Sequence, residues 1–458
     1  MKKTIFITAF HSFISRSILN TDVFKILAEK PDLKIVIFIP DYKKDFYVNA
    51  YGGKNVIIEG VNVEKISPSR IPYHFQKLAE MFLPTYTKKM WAAGGAPNNK
   101  KIKKSRIFYW LELLIFFISE NFKISHKILR NLDFYFSSSN VFENYIKKYQ
   151  PDLCFATDLI SGPDAMFLMA ARKHNIKTMG MVRSWDCATN KSLTRILPDK
   201  ILVLNNQVKD EMIKYHDAVP ESMFVAGFPQ FDPYLKIRPL SREEFFKLIG
   251  VDLDDQLVIF APAGGLLSDS DNETAEILKD ALLKNKIPPN IKFLVRNHPQ
   301  NPADLKSIEN NPAFIIDRPG VIFGNNVKSN ELDDKSVRHL INSIYNCELI
   351  IQYSSTLGLD ASIFDKPQIM IAFDGYGKKP YLESVRRYHD ENNMKSFIET
   401  GAARVVKNSE ELILWINKYL KNPKIDAEGR ARARKEILMD PDGKSGERIA
   451  NFILNFLF

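Results

Sequence analysis

Three consecutive hydroxyl residues, Ser354, Ser355 and Thr356, follow the apolar run Leu349-Ile350-Ile351 and precede a helical pattern from Leu357 to Phe364. A helix opened after a strand in this way points free N–H groups and the positive end of its dipole at an anion. Hydroxyls are also the commonest helix caps, so a capped helix without a ligand explains the same residues. Lys366-Pro367 stops the helix and Gln368-Ile369-Met370-Ile371 reads as the next parallel strand, which sets the turn inside a βαβ unit. Asp360, one turn in, has the chemistry to accept hydrogen bonds from ribose or sugar hydroxyls, or to stand as a solvated helix carboxylate.

Two further groups in the same half end strand-like runs. Gly264 and Gly265 follow Leu257 to Ala261, and glycines there let backbone approach a phosphate or simply make a tight turn. Arg296 and His298 close Lys292 to Arg296 and offer a guanidinium and an imidazole to a diphosphate. The first half has its own set: His11 and Arg16 after the first strand, Asp158 after Phe155-Ala156-Thr157, and Arg183-Ser184-Trp185-Asp186 after Met179 to Val182. Transfer of a group to a hydroxyl needs a base, and Asp186 or His11 has that capacity. Trp185 offers a stacking surface and Arg183 a charge partner; equally, Asp186 caps the next turn. Neither GxxxxGK[ST] nor a GxGxxG after the first strand occurs, which argues against P-loop ATP hydrolysis and hydride transfer.

The elements that must position these residues alternate. Strand-like Thr4 to Ala9, a helix from Ile18 to Glu29 and strand-like Lys34 to Ile39 open the first half. Asp152 to Thr157, a helix from Ala165 to His174, Lys177 to Val182 and Lys200 to Leu204 continue it. Val225 to Tyr234, with Gly227 and two prolines, reads as a hinge. Beyond it lie strands at Leu257 to Ala261, Lys292 to Arg296, Phe314 to Ile316, Leu349 to Ile351 and Gln368 to Ala372, then helices at Glu410 to Leu420 and Gly446 to Phe458. Such alternation predicts an α/β protein with parallel sheets covered by helices, whose ligands bind at the carboxyl ends of the strands.

A chain of 458 residues exceeds what one core usually supports, so two domains are expected. Cys154, Cys187 and Cys347 are scattered and odd in number, with no CxxC pair, and read as reduced cytosolic thiols. The apolar run near the N-terminus is short and meets His11-Ser12, so a buried strand is expected there rather than a signal peptide. Net charge is +10, which admits anionic partners; no zinc spacing, RNA-binding signature or helix-turn-helix pattern supports nucleic acid. Lys88, Lys89, Lys100, Lys101, Lys103, Lys104 and Arg106 lead into the aromatic run Ile107 to Ile118. That composition suits an anionic membrane surface, or a buried helix behind a solvated basic loop; the run is too short to cross a bilayer and contains Glu112.

Arg183 to Asp186 with Lys191 downstream, Ala226 to Asp232, Arg296 to Pro299 and Ser354 to Pro367 together resemble the two-Rossmann GT-B glycosyltransferases. The resemblance is to bacterial surface and capsular polysaccharide enzymes and to the CDP-glycerol glycerophosphotransferase group. It implies two Rossmann-like doubly wound domains facing across a cleft. Residues 1–232 would be the acceptor domain with a basic, aromatic insertion at about 84–136, and residues 233–445 the nucleotide-donor domain. Residues 446–458 would return to the first domain as a helix. By the same resemblance Gly264, Gly265, Arg296, His298, Ser354, Ser355, Thr356 and Asp360 would bind the donor, and Arg16, Asp158, Arg183, Trp185 and Lys191 would lie on the acceptor side. Asp186 and His11 would be catalytic. Asp360 stands where many relatives carry Glu, and Asn297 departs from the Arg/Lys-Pro-His-Pro form. The implied activity is transfer of a sugar from a nucleotide-sugar, a co-substrate, to a cell-surface glycan or lipid-linked acceptor, with no cofactor and no metal. The expected location is cytoplasmic, extending to a peripheral position on the inner face of the cell membrane. A CDP-glycerol-type glycerophosphotransferase, a sugar-nucleotide 2-epimerase-like isomerase and a non-enzymatic binding protein remain alternatives.

Overall fold

The computed structural model describes residues 2–66, 70–97, 106–137, 141–323 and 330–458. Lys100, Lys101, Lys103 and Lys104, part of the expected membrane-facing cluster, lie outside them. The chain divides into two units. Unit 1 comprises Met1–Lys89, Ser105–Pro233 and Asp442–Phe458, and unit 2 comprises Met90–Lys104 and Tyr234–Pro441. The sequence at 84–136, expected as one insertion in the first domain, is thus shared between the units.

Unit 1 is built on a wholly parallel sheet of β1 (Lys3–Thr8), β2 (Leu33–Pro40), β3 (Val56–Val61), β4 (Leu153–Ala156), β5 (Lys177–Met181), β6 (Lys200–Val203) and β7 (Met223–Val225). Its order is β3-β2-β1-β4-β5-β6-β7, so the winding reverses between β1 and β4. Central strands are continuous apolar runs because both faces are covered; Ile5, Phe6 and Ile7 have no exposed surface. The expected helix from Ile18 to Glu29 is broken. A π-turn at Ser15–Leu19 ends at Asn20, and Thr21 accepts the Val23 N–H to start α1 (Asp22–Ala28). Among the helices of this unit are also α2 (Arg70–Met81), α3 (Arg106–Asn121), α4 (Ile124–Phe136), α5 (Gly162–Lys173) and α6 (Asn206–His216). The segment expected as a hinge begins on the last residue of β7, and the change of unit falls near its far end, after Pro233.

Unit 2 repeats the plan with β8 (Gln256–Ala261), β9 (Ile291–Arg296), β10 (Phe314–Asp317), β11 (Leu349–Gln352), β12 (Gln368–Ile371) and β13 (Arg404–Val406), all parallel. The order β10-β9-β8-β11-β12-β13 reverses between β8 and β11. Val258, Phe260, Phe293, Val295, Ile351 and Ile369 form the middle of its core. The helix α7 (Asp271–Leu283) follows β8, and α8 (Leu357–Ile363) follows β11.

The last helix, α9 (Ser445–Leu457), lies against α1 in unit 1. Asp232 holds its start, accepting the Ser445 N–H at 3.1 Å and the Gly446 N–H at 2.7 Å. A side chain at Gly227 (φ 88°) would sit 2.5 Å from Ser445 Oγ, so glycine there admits the helix. Phe224 stacks on Phe452 at 4.4 Å.

Candidate active site

In a doubly wound sheet the two strands flanking the reversal leave a crevice beyond their carboxyl ends. In unit 1 those strands are β1 and β4, and His11 and Asp158 follow them. Asp158 Oδ2 accepts from Arg183 Nε at 2.8 Å, with both side chains only about a tenth exposed. Burial opposes the Arg183 charge, but Asp158 holds the guanidinium firmly protonated. His11 sits in the field of Arg183, Asp158, Lys191 and Lys43; burial first, then Arg183, lowers it to about 4. Its Nδ1 accepts the Phe13 N–H at 3.2 Å. A backbone amide can only donate, so the neutral ring carries its proton on Nε2 and presents a donor.

Asp186 accepts from the Ser184 hydroxyl through Oδ1 and is half-buried, which leaves Oδ2 for a substrate. It does not cap the following turn with its side chain. Trp185 is 2% exposed, so it packs inside and offers no stacking surface, contrary to the sequence expectation. Lys191 is exposed, and its carbonyl accepts from Lys88 Nζ at 3.2 Å. Arg16 is carried by the π-turn and lies over the Phe231 ring at 5.8 Å. One residue not singled out from the sequence joins them. Asp164, in the first turn of α5, takes the Thr8 hydroxyl, and burial, then Asp158, raises it to about 7. Its signal was an acid at a helix start directly after a strand-end turn.

In unit 2 the flanking strands are β8 and β11, so the glycine loop and the hydroxyl turn stand at the reversal. Gly264 (φ 86°) is required by the protein's own packing, because a Cβ would lie 2.2 Å from the Asn301 carbonyl oxygen. Its N–H and that of Ala263 donate to Asp271 at 2.7 and 3.0 Å, so an internal carboxylate takes the place foreseen for phosphate. Gly265 has open room around it. Arg296 pairs with Asp317 on the neighbouring strand and is mostly buried, while His339 approaches the same carboxylate at 3.5 Å. It therefore braces β9 against β10. His298 repeats the His11 device: Nδ1 accepts the Gln300 N–H at 3.1 Å, burial lowers its pKa, and Nε2 carries the proton at the exposed side.

Ser355 Oγ accepts the Leu357 N–H at 3.2 Å, whereas Thr356 is exposed and makes no side-chain cap. Ser354 is half-buried beside them. Asp360 is 2% exposed and accepts from the Tyr234 hydroxyl, so it fastens the start of this unit's chain rather than standing solvated. Behind the loop, Tyr353 donates to Thr274 Oγ1 at 2.7 Å, and its carbonyl meets His389 Nε2 at 3.3 Å. His389 was missed in the sequence because its partner Tyr353 is distant in the chain, and Asp271 because an acid in a first helical turn reads as an ordinary complement to the helix dipole.

Two parallel sheets, each with a central reversal and polar side chains at its carboxyl edge, make up the two-Rossmann GT-B fold. The chain belongs to the CDP-Glycerol:Poly(glycerophosphate) glycerophosphotransferase family, whose model matches residues 173–455. No curated protein matches it. Among solved structures it is similar to a UDP-N-acetylglucosamine 2-epimerase described as putative, from Listeria monocytogenes, at 11% identity and a TM-score of 0.57, covering 100% of this chain and 96% of that one. It is also similar to the UDP-GlcNAc 2-epimerase of Neisseria meningitidis, solved bound to UDP-GlcNAc, at 10% identity and a TM-score of 0.56, covering 99% and 100%. A third is the wall teichoic acid polymerase TagF, at 13% identity and a TM-score of 0.52, covering 100% and 89%. At such identities the likeness is one of fold.

Proposed function

We propose that this protein transfers an alcohol-phosphate unit from a CDP-linked donor to a hydroxyl on a cell-surface, lipid-linked polymer, working at the cytoplasmic face of the membrane. The observation that carries this reading is the family match, which spans every strand of unit 2 and both His298 and the Ser354 to Thr356 turn. It favours phosphotransferase chemistry over the sugar transfer that the motifs first suggested.

In the proposed reaction an acceptor hydroxyl oxygen attacks the donor's β-phosphorus. The new O–P bond forms as the bridge to the α-phosphate breaks, and CMP leaves. Asp186 Oδ2 is the base that takes the hydroxyl proton. His11 is reassigned from base to donor, since its Nε2 already holds a proton. Arg183, held by Asp158, and Lys191 supply positive charge on the acceptor side around His11, and Arg16 is assigned to the same side. In unit 2, His298 Nε2–H, Ser354, Ser355 and Thr356 stabilise the leaving phosphate, and Gly265 lets it approach. Arg296 and Asp360 support this edge through Asp317 and Tyr234. The reading is metal-independent. Basic side chains and N–H donors are assigned the charge of the leaving phosphate, and transfer that continues undiminished in EDTA would support this.

The test is incubation with CDP-glycerol, other CDP-alcohols and a panel of nucleotide-sugars, with and without acceptor and with EDTA. Phosphorus gained by the polymer together with released CMP supports the proposal. Polymer that gains sugar without phosphorus establishes the glycosyl-transfer reading instead, and a new nucleotide-sugar formed without acceptor establishes the isomerase.

A further inference from the structure

Arg387 is a buried positive charge held entirely by neutral groups. It stands in the turn Val385–Asp390, on the stretch of unit 2 that follows β12, and is 5% exposed. Its Nε donates to the Gly95 carbonyl at 2.8 Å, Nη1 to the Ser384 carbonyl at 2.6 Å and Nη2 to the Tyr388 hydroxyl at 2.5 Å. The guanidinium also lies over the Tyr388 ring, 4.1 Å from its centre. Among the described residues no carboxylate pairs with it. A guanidinium carries five N–H groups, so one on each Nη remains uncommitted. Burying a charge without a counter-charge is costly, and an anion arriving beside it removes that cost.

The place it occupies selects the anion. The Tyr388 hydroxyl that Arg387 engages donates in turn to the Leu267 carbonyl at 3.2 Å, and the Leu267 N–H donates to the Gly264 carbonyl. One side chain therefore separates the guanidinium from the glycine loop. Next in the turn, His389 donates Nε2–H to the Tyr353 carbonyl at 3.3 Å, directly before the Ser354 to Thr356 turn. The two loops that flank the reversal of the unit 2 sheet are thus both fastened to the turn that carries the buried cation.

A short strap aims the guanidinium. Met90–Gly95 belongs to unit 2, although Lys89 before it belongs to unit 1. Besides the Gly95 carbonyl it offers the Trp91 indole N–H, which donates to Glu391 at 3.1 Å, just past the same turn. A Cβ at Gly95 would crowd Met90 at 3.0 Å and Arg387 at 3.4 Å, so glycine lets the carbonyl come this close. We propose that Arg387, aimed by this strap, binds the phosphates of a nucleoside diphosphate donor through its two uncommitted N–H groups and its charge. The proposal rests on the transfer reading, which supplies the donor, and adds to it a cation that neither the motifs nor the strand ends had marked.

The experiment is calorimetric titration of the full chain with cytidine, CMP, CDP and the corresponding uridine series. The wild type should bind CDP about a hundredfold more tightly than cytidine. Arg387→Gln keeps a donor for the Gly95 carbonyl but no charge, and should weaken CDP about tenfold while leaving cytidine nearly unchanged, so the ratio of the two affinities narrows. Arg387→Lys keeps the charge and should preserve most of that ratio. Trp91→Phe loosens the strap and should fall between the wild type and Arg387→Gln. Added salt should weaken CDP more in the wild type than in Arg387→Gln. A residue needed only for folding would lower the melting temperature and the fraction of protein that binds, with the ratio unmoved, and that result overturns the proposal. So does a wild type that binds none of these compounds. Should Arg387→Gln not fold, the ratio in Trp91→Phe decides, and an unchanged one overturns the proposal. A ratio that narrows for UDP in place of CDP supports the Arg387 site and overturns the CDP-linked donor. A ratio that narrows for CDP in a protein that transfers no phosphorus supports the site and overturns the transfer reading.

Discussion

His11 and His298 stand two residues before a backbone amide that donates to Nδ1, one in each unit. The same local turn makes each a neutral Nε2–H donor, and a donor's role is recoverable by another N–H. His11→Gln and His298→Gln should therefore retain substantial transfer, whereas His298→Ala should lower kcat/KM by about a hundredfold. Steady-state kinetics with the purified variants decide this, and equal losses for Gln and Ala would point to proton abstraction instead. A different histidine sets acid stability. His216 is fully buried, takes the Thr194 N–H on Nδ1 and donates to the Ala188 carbonyl, and burial lowers it to about 4. Its native state binds fewer protons than the unfolded chain between about pH 6.5 and 4, so its contribution to stability rises with pH across that window and is lost as pH falls. His216→Gln does not titrate. The stability gap between wild type and variant should narrow by up to about 3 kcal/mol from pH 7 to pH 4, as read by urea unfolding. Residue types at strand ends told which groups gather at each edge, but not which were already engaged. Trp185 and Asp360 look available in the sequence because the side chains that enclose them come from elsewhere in the chain.

At the scale of elements, the central strands were readable because burial on both faces demands unbroken apolar runs. Three strands escaped, and all lie at sheet edges: β3 and β7 in unit 1 and β13 in unit 2. An edge strand faces solvent, so β3 admits Glu59, and β7 and β13 are only three residues long, too short for a period to show. The break before α1 was marked by Thr21-Asp22, a cap signal outweighed by the apolar pattern around it. Capping over a long chain separation is harder to see, and Asp232 is the instance with a measurable effect. Its carboxylate serves two N–H groups at the start of α9 from 213 and 214 residues away. Asp232→Ala should destabilise unit 1 by about 1–3 kcal/mol and raise hydrogen exchange through Ser445–Leu457. Unchanged exchange there would mean α9 is fixed by its apolar face alone.

For the whole molecule, the decisive fact is that unit 1 is discontinuous in sequence, its last piece following all of unit 2. Within α9, Ile449, Ala450, Ile453, Leu454 and Leu457 are buried. At about 1.5–3 kcal/mol for each large apolar side chain, these contacts rival the stability of a typical domain. A chain ended after Pro441 should therefore lose protease resistance in unit 1 first, while peptides from Tyr234–Pro441 persist. Limited proteolysis with mass spectrometry distinguishes this from loss of both units together.

The bond between Asp232 and the start of α9 also orders events during synthesis. About two hundred residues of unit 2 separate the two partners, and a ribosome adding roughly 5–20 residues per second takes some ten to forty seconds to make them. Throughout that interval α1 and β7 have emerged without the helix that covers them, so nascent unit 1 shows an apolar seam to the cytosol. Translation speed across residues 234–441, and the supply of chaperones to shield that seam, would thus govern how much of the protein matures.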